Sequence, residues 1–537
     1  MSRNIRAISA RHSQDKTLFE LLTDAAKDQG CPSDTQLTHI SQQHQIAVAH
    51  LLATRSFYDF LKADNQGKRA YVCNGTSCLL KGNQHHLQAA LDKRYQKHET
   101  GEVRCLGHCY RGEAFLESDN VFDVSQCFSG NKQQADSIPF YNASSVSVFN
   151  ADVDDLNIFY QSVLLNKDKI INELKDSSLR GRGGAGFPFA SKLVACAETI
   201  SEQKFVICNA DEGDPGAFSD RYLLEIHPHL ILAGMLAAAY ACDAHSGFIY
   251  IRAEYPGAYK IIARAIEDFE KTTVCQTAQF KLRVIQGAGS YICGEETALL
   301  NSIEGLKPEV RTRPPYPAQQ GLFDKPTLIS NVETFAAIPW ILKNTGLAFS
   351  AMGTEKSSGT KLVCLDHGVK RPGVYEVDMG ESLQKLIYHV AGGFSVDAKA
   401  IQVGGPLGGV VPVSKIPDLT VDFESFEQQG FLLGHAGIVI IPKTFPMLDF
   451  MRHLFEFMAS ESCGKCLPCR LGTAKGHQML MAATTGSAVN VTAFNDLLDV
   501  LEHGSLCGLG SGLPLPIRNI QKYFSDELSG YFVEASL

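Results

Sequence analysis

Three cysteines near the C-terminus, in Cys463-Gly-Lys-Cys466-Leu-Pro-Cys469, have the residue type and spacing of a metal cage. A fourth thiol, Cys507, follows further along and can close that cage. Four soft thiolate ligands suit either zinc or an iron–sulfur cluster. Structural zinc usually takes its ligands as two separate pairs, so the triple favours a [4Fe–4S] cluster, which exchanges single electrons.

A second set of thiols is formed by the pairs Cys73-x4-Cys78 and Cys105-x3-Cys109. Each pair should leave a strand and enter a loop, so four thiolates could meet at the edge of a small sheet. Two such pairs suit a [2Fe–2S] cluster with one pair on each iron, and a zinc site or unliganded core thiols are the alternatives. The other eight cysteines lack ligand spacing and are interpreted as small buried hydrophobes: Cys31, Cys127, Cys196, Cys208, Cys242, Cys275, Cys293 and Cys364.

A glycine-rich segment, Gly181-x-Gly183-x-x-Gly186, matches the dinucleotide fingerprint literally. In a Rossmann unit these glycines follow a strand, whereas here they follow a predicted helix, which argues against a Rossmann site. A glycine loop still lets backbone N–H groups approach a phosphate closely, and Lys192 could add a positive charge. A plain turn is the alternative interpretation.

Polar side chains follow the predicted strand 205–208, namely Asn209, Asp211, Glu212 and Asp214. Ligands bind at the carboxyl ends of strands in α/β domains. Carboxylates there would repel phosphate, so we expect them to accept hydrogen bonds from hydroxyl or carboxamide groups, with a solvated loop as the alternative.

Two further segments have the composition of a nucleotide site. The glycine-rich segment 287–296 enters a helix with Glu295 and Glu296, whose carboxylates could also simply complement the helix dipole. Arg313-Pro-Pro-Tyr316 offers a cation and an aromatic face held by stiff proline geometry, and a structural loop is the alternative.

The composition limits the class of protein that carries these groups. At 537 residues the chain is too long for one core, and its net charge of −9 gives no indication of a nucleic-acid partner. Sixteen cysteines without a visible signal peptide favour metal or redox chemistry over disulfides. The longest apolar stretch, 230–242, is too short to span a bilayer, so we expect a cytoplasmic protein with no membrane span of its own.

Helical and strand periodicities predict a multidomain α/β protein. We expect one long helix over 223–242. The segment 360–442 should form short strands around a single helix, 383–390. The predicted domains are 1–130, N-terminal helices plus a small sheet that carries the second set of thiols; 131–164, a linker; 165–350, an α/β domain; 351–444, a β-grasp-like domain; and 445–537, a helical domain that carries the cysteine triple.

Several segments together resemble a known family. Segments 181–188, 208–216, 287–299, 330–334 and 461–470 are similar to the NADH-oxidising flavoprotein (51 kDa) subunit of complex I and its relatives. Residues 15–128 resemble the thioredoxin-like [2Fe–2S] (24 kDa) subunit, so the chain resembles both subunits fused. The resemblance implies FMN, NAD(H), one [4Fe–4S] and one [2Fe–2S] cluster, and it leaves the choice between NAD and NADP open.

The resemblance also assigns residues to these cofactors. The predicted metal ligands are the two cysteine sets already described, and the predicted catalytic residues are Glu212 and Asp214. The FMN site would use Gly181, Arg182, Gly183, Lys192, Asn209, Asp211, Glu212, Tyr291, Gly294, Glu295, Glu296, Asn331 and Thr334. NADH would stack on Phe187 and Tyr316 and meet Arg313 and Asp214.

Segments 404–408 and 431–439 most resemble the β (diaphorase) subunit of soluble NAD-dependent formate dehydrogenases. This implies a larger α partner with a molybdenum or tungsten bis-pterin centre and further iron–sulfur clusters. Diaphorase subunits of NAD-reducing hydrogenases and complex-I-like NADH dehydrogenases are the alternatives, and the four N-terminal cysteines favour formate dehydrogenase over hydrogenase. A different class of function is an iron–sulfur scaffold for docking or redox sensing.

Overall fold

The structure is a computed structural model that describes residues 17–26, 30–122, 137–150 and 153–534. The N-terminal residues used in the signal-peptide argument, Cys127 and part of the predicted linker lie outside the described residues. The described chain forms a multidomain α/β protein with three larger sheets and a C-terminal helical region, as the sequence predicts.

In the described part of the N-terminal region, three helices precede a small sheet. The sheet has four strands, in which the first two in sequence pair in parallel and the other two are antiparallel. The helices preceding the sheet pack onto the next domain, where Phe19 and Tyr58 lie against Tyr250. Helices are Leu18–Ala26, Asp34–His44, Val48–Arg55, Thr76–Lys81 and Gln84–Leu91, and strands are Ala70–Cys73, Thr100–Val103, Phe115–Glu117 and Asn120–Phe122.

The central domain is built on a four-stranded, fully parallel sheet. In spatial order its strands are Lys281–Gln286, Ser246–Ile251, Phe205–Ala210 and Thr327–Asn331. The surrounding helices are Leu156–Ser162, Lys167–Asp176, Phe189–Glu198, Ser219–Ile226, Pro228–Cys242, Pro256–Glu270, Thr273–Ala278, Glu296–Ile303, Val332–Asn344 and Gly346–Ser350.

The prediction of one long helix over 223–242 is wrong, because the helices Ser219–Ile226 and Pro228–Cys242 share that segment and meet at 95°. Pro228 has no N–H to continue the first helix and instead begins the second, with His227 in a non-helical conformation between them. In the part of the chain that the structure describes, no single helix is long and apolar enough to cross a membrane. Taken together, the two helices of this bent pair are long and apolar enough to cross a membrane, by length and composition only.

The third domain has a mixed six-stranded sheet. Part of the predicted linker belongs to it, since Phe140–Asn142 pairs in parallel with Gly373–Asp378 as an edge strand. The expectation of a single helix is also corrected, because an α-helix, Phe423–Gln428, accompanies the π-helix Lys385–Val390. The remaining strands are Val410–Pro412, Ala398–Val403, Gly437–Pro442 and Thr360–Leu365.

The C-terminal region is helical, with Cys463 and Cys466 between its first two helices and Cys469 in the first turn of the second. Its helices are Met447–Glu461, Leu467–Thr484, Val491–Gly504, Gly508–Gly512, Pro514–Tyr523 and Ser525–Leu528, with short strands Val489–Asn490 and Phe532–Val533. Short 3-10 turns occur at Ala63–Asn65, Lys97–Glu99, Tyr291–Gly294, Leu322–Asp324, Gly405–Leu407 and Val413–Asp418.

Candidate flavin, nucleotide and iron–sulfur sites

The first thiol set converges at one end of the thioredoxin-like sheet. Cys73 ends a strand, Cys78 lies in the following helix, and Cys105 and Cys109 lie in the loop after the parallel neighbouring strand. All four are buried, and the Sγ atoms of Cys105 and Cys109 are 3.5 Å apart. The structure therefore brings together the four thiols that the sequence assigns to a [2Fe–2S] cluster.

The surroundings favour the thiolate form of one thiol in each pair, since the pKa of Cys73 and Cys105 is lowered, whereas the hydrogen bond within the pair and burial raise the pKa of Cys78 and Cys109. The pKa of Cys73 is lowered to about 7 by a hydrogen bond with Cys78 and by backbone N–H groups that include that of Gly75, against the opposing effect of burial. A Cβ on Gly75 would lie 3.0 Å from the backbone N of Cys105, so the loops can approach closely only with glycine there. Iron binds the thiolate form, so the donor set fits.

The second thiol set surrounds the start of the helix Leu467–Thr484. Cys463, Cys469 and Cys507 are buried and Cys466 is partly exposed. Burial and the neighbouring thiols raise the pKa of Cys469 to about 12. A bound iron cluster supplies the positive charge that four crowded thiolates need, so this donor set also fits. A Cβ on Gly510 would lie only 2.9 Å from Cβ of Cys469, so glycine at this position lets the segment after Cys507 pack closely against Cys469.

The glycine loop lies between the helices Lys167–Asp176 and Phe189–Glu198, so it follows a helix as predicted. Gly184 and Gly186 have φ angles of +118° and +59°, in the region that favours glycine. A Cβ on Gly183 would lie 3.0 Å from Cβ of Asn331. Thr334 anchors the loop because its Oγ1 accepts the backbone N–H of Arg182 at 2.9 Å.

The strand-end residues meet the second glycine-rich segment. Asn209 donates through Nδ2 to the carbonyl of Gly294 at 2.8 Å, and Tyr291 donates its hydroxyl to Asp214 at 2.7 Å. Burial raises the pKa of Asp211 well above its usual range, and its buried Oδ2 has no hydrogen-bond partner within the described chain. An unpartnered acceptor beside a glycine loop fits a hydroxyl-rich ligand such as FMN.

Glu212 points away from that surface and into the protein. Its carboxylate accepts backbone N–H groups of Asp220 and Arg221, at 2.9 and 3.1 Å, and the hydroxyl of Tyr255 at 3.0 Å. Burial and the nearby Asp220 raise its pKa to about 7. The geometry therefore gives Glu212 a structural role at the start of the helix Ser219–Ile226.

The predicted nucleotide residues form an exposed rim. Glu296 accepts from Lys192 at 2.8 Å and from Arg313 at 3.0 Å, so all three side chains converge. The rings of Phe187 and Tyr316 are exposed, to 50% and 56%. Glu295 instead caps the helix Glu296–Ile303 by accepting two backbone N–H groups at 2.9 Å. Two open aromatic faces beside a charged cluster suit a planar, phosphorylated ligand.

Sequence reasoning missed His435, which belongs to this region. Its Nε2 lies 3.3 Å from a carboxylate oxygen of Asp220 and 3.8 Å from one of Glu212. In the sequence, the segment that contains His435 stands out only through its family resemblance. Its partners lie more than two hundred positions earlier in the chain, so only the fold reveals the contact.

The loops of the central site contact Cys109 of the first cysteine set and the end of the helix that leads into the second set. The backbone N–H of Gly216 donates to Sγ of Cys109 at 3.3 Å. On the other side, the backbone N–H of Tyr291 donates to Glu461, which ends the helix before Cys463, at 2.8 Å. The loops at 211–216 and 290–294 therefore connect the two cages.

Family comparisons match each of these regions. The Nuo51 FMN-binding domain matches residues 174–340, the NADH-ubiquinone oxidoreductase-F iron–sulfur binding region matches 449–531, and the thioredoxin-like [2Fe–2S] ferredoxin matches 5–125. The NAD-reducing hydrogenase HoxS subunit alpha of Cupriavidus necator is 31% identical, over 98% of this chain and 94% of that protein.

The chain belongs to the Nuo51 flavoprotein family. This Nuo51 family member joins the three regions in one chain, so it carries FMN-binding, [4Fe–4S] and [2Fe–2S] domains, and its match to the HoxS subunit extends along nearly all of both chains. The mitochondrial NADH dehydrogenase (ubiquinone) flavoprotein 1 of Dictyostelium discoideum is 35% identical over 67% of this chain and 78% of that protein.

Solved structures agree with this family. The crystal structure of NAD+-reducing [NiFe]-hydrogenase in the air-oxidized state contains a chain that is 26% identical, with a TM-score of 0.85. The match covers 97% of this chain and 94% of that one. The named relatives of this Nuo51 family member therefore favour the hydrogenase and complex I alternatives over the predicted formate dehydrogenase.

Proposed function

We propose that this chain is the NAD(H)-reactive diaphorase subunit of a multisubunit complex of the NAD-reducing hydrogenase type. The observation that carries the proposal is that the loops of one glycine-lined site contact Cys109 of the first thiol set and Glu461, which lies two residues before Cys463 of the second set. Bound FMN exchanges hydride with NAD(H) and single electrons with iron–sulfur clusters. An arrangement with clusters on both sides of a flavin site suits that conversion.

The chain's own residues would bind and orient the two cofactors. Backbone N–H groups of the loop 181–186 would hold the FMN phosphate, and the unpartnered acceptor of Asp211 would bind a flavin hydroxyl. The open rings of Phe187 and Tyr316 would stack on NAD(H), with the cations Lys192 and Arg313 near its phosphates. No side chain is required to form a covalent bond in this scheme.

The partner would dock beside the [4Fe–4S] cage. Leu467 and Leu471 lie one turn apart on the helix that follows Cys466, and they are 58% and 59% exposed. Leu506, next to Cys507, is 46% exposed. Apolar side chains grouped around a partly exposed ligand suit a protein surface that delivers or receives electrons.

Metal analysis of the complex, purified gently from its native host, tests the assignment. Nickel together with iron, and FMN released on acid denaturation, is the expected result. Molybdenum or tungsten would instead restore the formate dehydrogenase partner that segments 404–408 and 431–439 suggest. Native protein without FMN would favour the scaffold function and contradict the diaphorase.

A further inference from the structure

A buried charged cluster lies beneath the glycine loop. Glu212 is 4% exposed, Asp220 1% and His435 5%, and their ligand atoms lie within 4.8 Å of one another. The three residues come from the end of one strand, the start of a helix and a turn of the third domain. Because His435 is so distant from the two acids in sequence, the cluster exists only in the folded protein.

The cluster is connected to the flavin loop by two routes. Asp220 accepts a hydrogen bond from Nδ2 of Asn331, whose Cβ packs against Gly183. A Cβ on Gly184 would lie 3.6 Å from the backbone N of His435. The turn that carries His435 therefore lies against the glycine loop. The imidazole is linked to the loop indirectly, through Asp220 and then Asn331.

The surroundings of His435 keep its ring charged. Burial alone would lower its pKa, and the opposing Lys361 would lower it further, but Asp220 and Glu212 outweigh both and raise the pKa to about 9. Glu212 accepts two backbone N–H groups and one oxygen of Asp220 accepts from Asn331, whereas the other Asp220 oxygen and Nδ1 of His435 have no hydrogen-bond partner within the described chain.

We propose that His435 is a positioning residue whose buried positive charge offsets the negative charge of Asp220, beside Glu212 and beneath the flavin loop, and so favours the reduced, more negative flavin. The inference rests on the proposed function, since it concerns the same flavin site. Without the imidazolium, uncompensated carboxylate charge would remain below the loop and oppose the additional electrons on the flavin.

The test is a redox titration of FMN in the purified complex with His435→Gln. We expect reduced FMN to bind about ten-fold less tightly relative to oxidised FMN, which corresponds to a fall of about 30 mV in the two-electron potential. The wild-type potential should move toward the variant value as the pH rises through about 9, whereas the variant should show no such step.

Two further variants separate charge from packing. The double variant Asp220→Asn/His435→Gln removes both charges and should restore most of the wild-type potential. The control His229→Gln removes a partly buried imidazole that contacts Tyr160, at 2.7 Å, and should leave the potential unchanged. If the single variant loses FMN, recovery of FMN in the double variant supports the proposal, and continued loss overturns it.

An unchanged potential in a His435→Gln complex that retains FMN would overturn this inference and leave the proposed function intact. A wild-type complex that holds no FMN would overturn both.

Discussion

The backbone N–H of Gly216 donates to Sγ of Cys109 at 3.3 Å, across the boundary between the FMN-binding and thioredoxin-like domains. Gly216 has a φ of +105°, and a Cβ there would lie 2.6 Å from Cγ2 of Val439. The turn therefore needs glycine both for its conformation and for its close packing. Hydrogen bonds to cluster sulfurs raise the reduction potential, so the flavin domain helps to set the potential of the [2Fe–2S] cluster.

Replacing Gly216 with Ala should displace this turn and lengthen the N–H···S hydrogen bond. We expect the [2Fe–2S] potential to fall by tens of millivolts, measured by a redox titration followed by EPR. Gly430→Ala is the matched control, because Gly430 also has positive φ but nothing lies within 4 Å of the added Cβ. The control should cost about 1 kcal/mol in stability and leave the potential unchanged. Equal potentials for all three proteins would contradict the proposed contact.

Cys466→Ser should abolish electron transfer between the partner and NAD while it spares part of the NADH–dye activity. The variant removes a proposed [4Fe–4S] ligand but leaves the glycine loop and the nucleotide rim intact. Cys275→Ser is the control, since this buried thiol donates to the carbonyl of Phe280 at 3.4 Å and a serine hydroxyl can do the same. Equal loss of both activities in Cys466→Ser, with FMN retained, would count against the [4Fe–4S] cluster lying between FMN and the partner.

The features that could be predicted from the sequence are those that depend only on residues close together along the chain. The cysteine spacings, the glycine loop after a helix and the polar residues after the strand Phe205–Ala210 are all visible in the sequence. The prediction of one helix over 223–242 overlooked a local signal, because Pro228 lacks the N–H that a helix interior needs and the apolar run begins only after it.

Long-range contacts could not be predicted in the same way. The edge strand Phe140–Asn142 falls in the predicted linker because its three residues show no periodicity of their own and gain their conformation by pairing with Gly373–Asp378. The environment of Glu212 depends on Asp220, Tyr255 and His435, which reach it from separate elements. Its sequence neighbours suggest a ligand-facing acid, whereas the fold turns its carboxylate inward.

Leu471→Glu should weaken assembly with the partner subunit without changing the NADH–dye activity. The exposed leucine lies beside the [4Fe–4S] cage, and burying a carboxylate in an apolar interface costs several kcal/mol unless it is paired. Size-exclusion chromatography of the complex provides the measurement. Ile200→Glu, at a fully exposed residue of the FMN-binding domain, is the control and should assemble normally. Normal assembly of Leu471→Glu would contradict docking of the partner beside the [4Fe–4S] cage.

Glu212→Gln should flatten the dependence of thermal stability on pH. Burial and Asp220 raise the pKa of Glu212 from 4.5 to about 7, so the fold favours its protonated form. Its contribution to stability is complete below about pH 4.5 and is lost as the pH rises through about 7. A neutral glutamine has no such pH-dependent contribution to lose. The melting temperature of the variant should therefore fall less than that of the wild type as the pH rises from about 4.5 to about 7.

The exposed Glu202 provides the control for this pH dependence, and Glu202→Gln should follow the wild-type curve. Parallel curves for Glu212→Gln and the wild type would show that Glu212 does not titrate in this range.

Anaerobic addition of NADH to the purified complex, followed by optical and EPR spectroscopy, tests the central claim most directly. The account predicts that NADH bleaches the flavin absorbance and produces reduced signals from both the [2Fe–2S] and the [4Fe–4S] clusters of this chain, because the loops of one site contact Cys109 and the end of the helix before Cys463. A flavin that stays oxidised, with neither cluster reduced, in a complex that contains FMN and iron would contradict the diaphorase function.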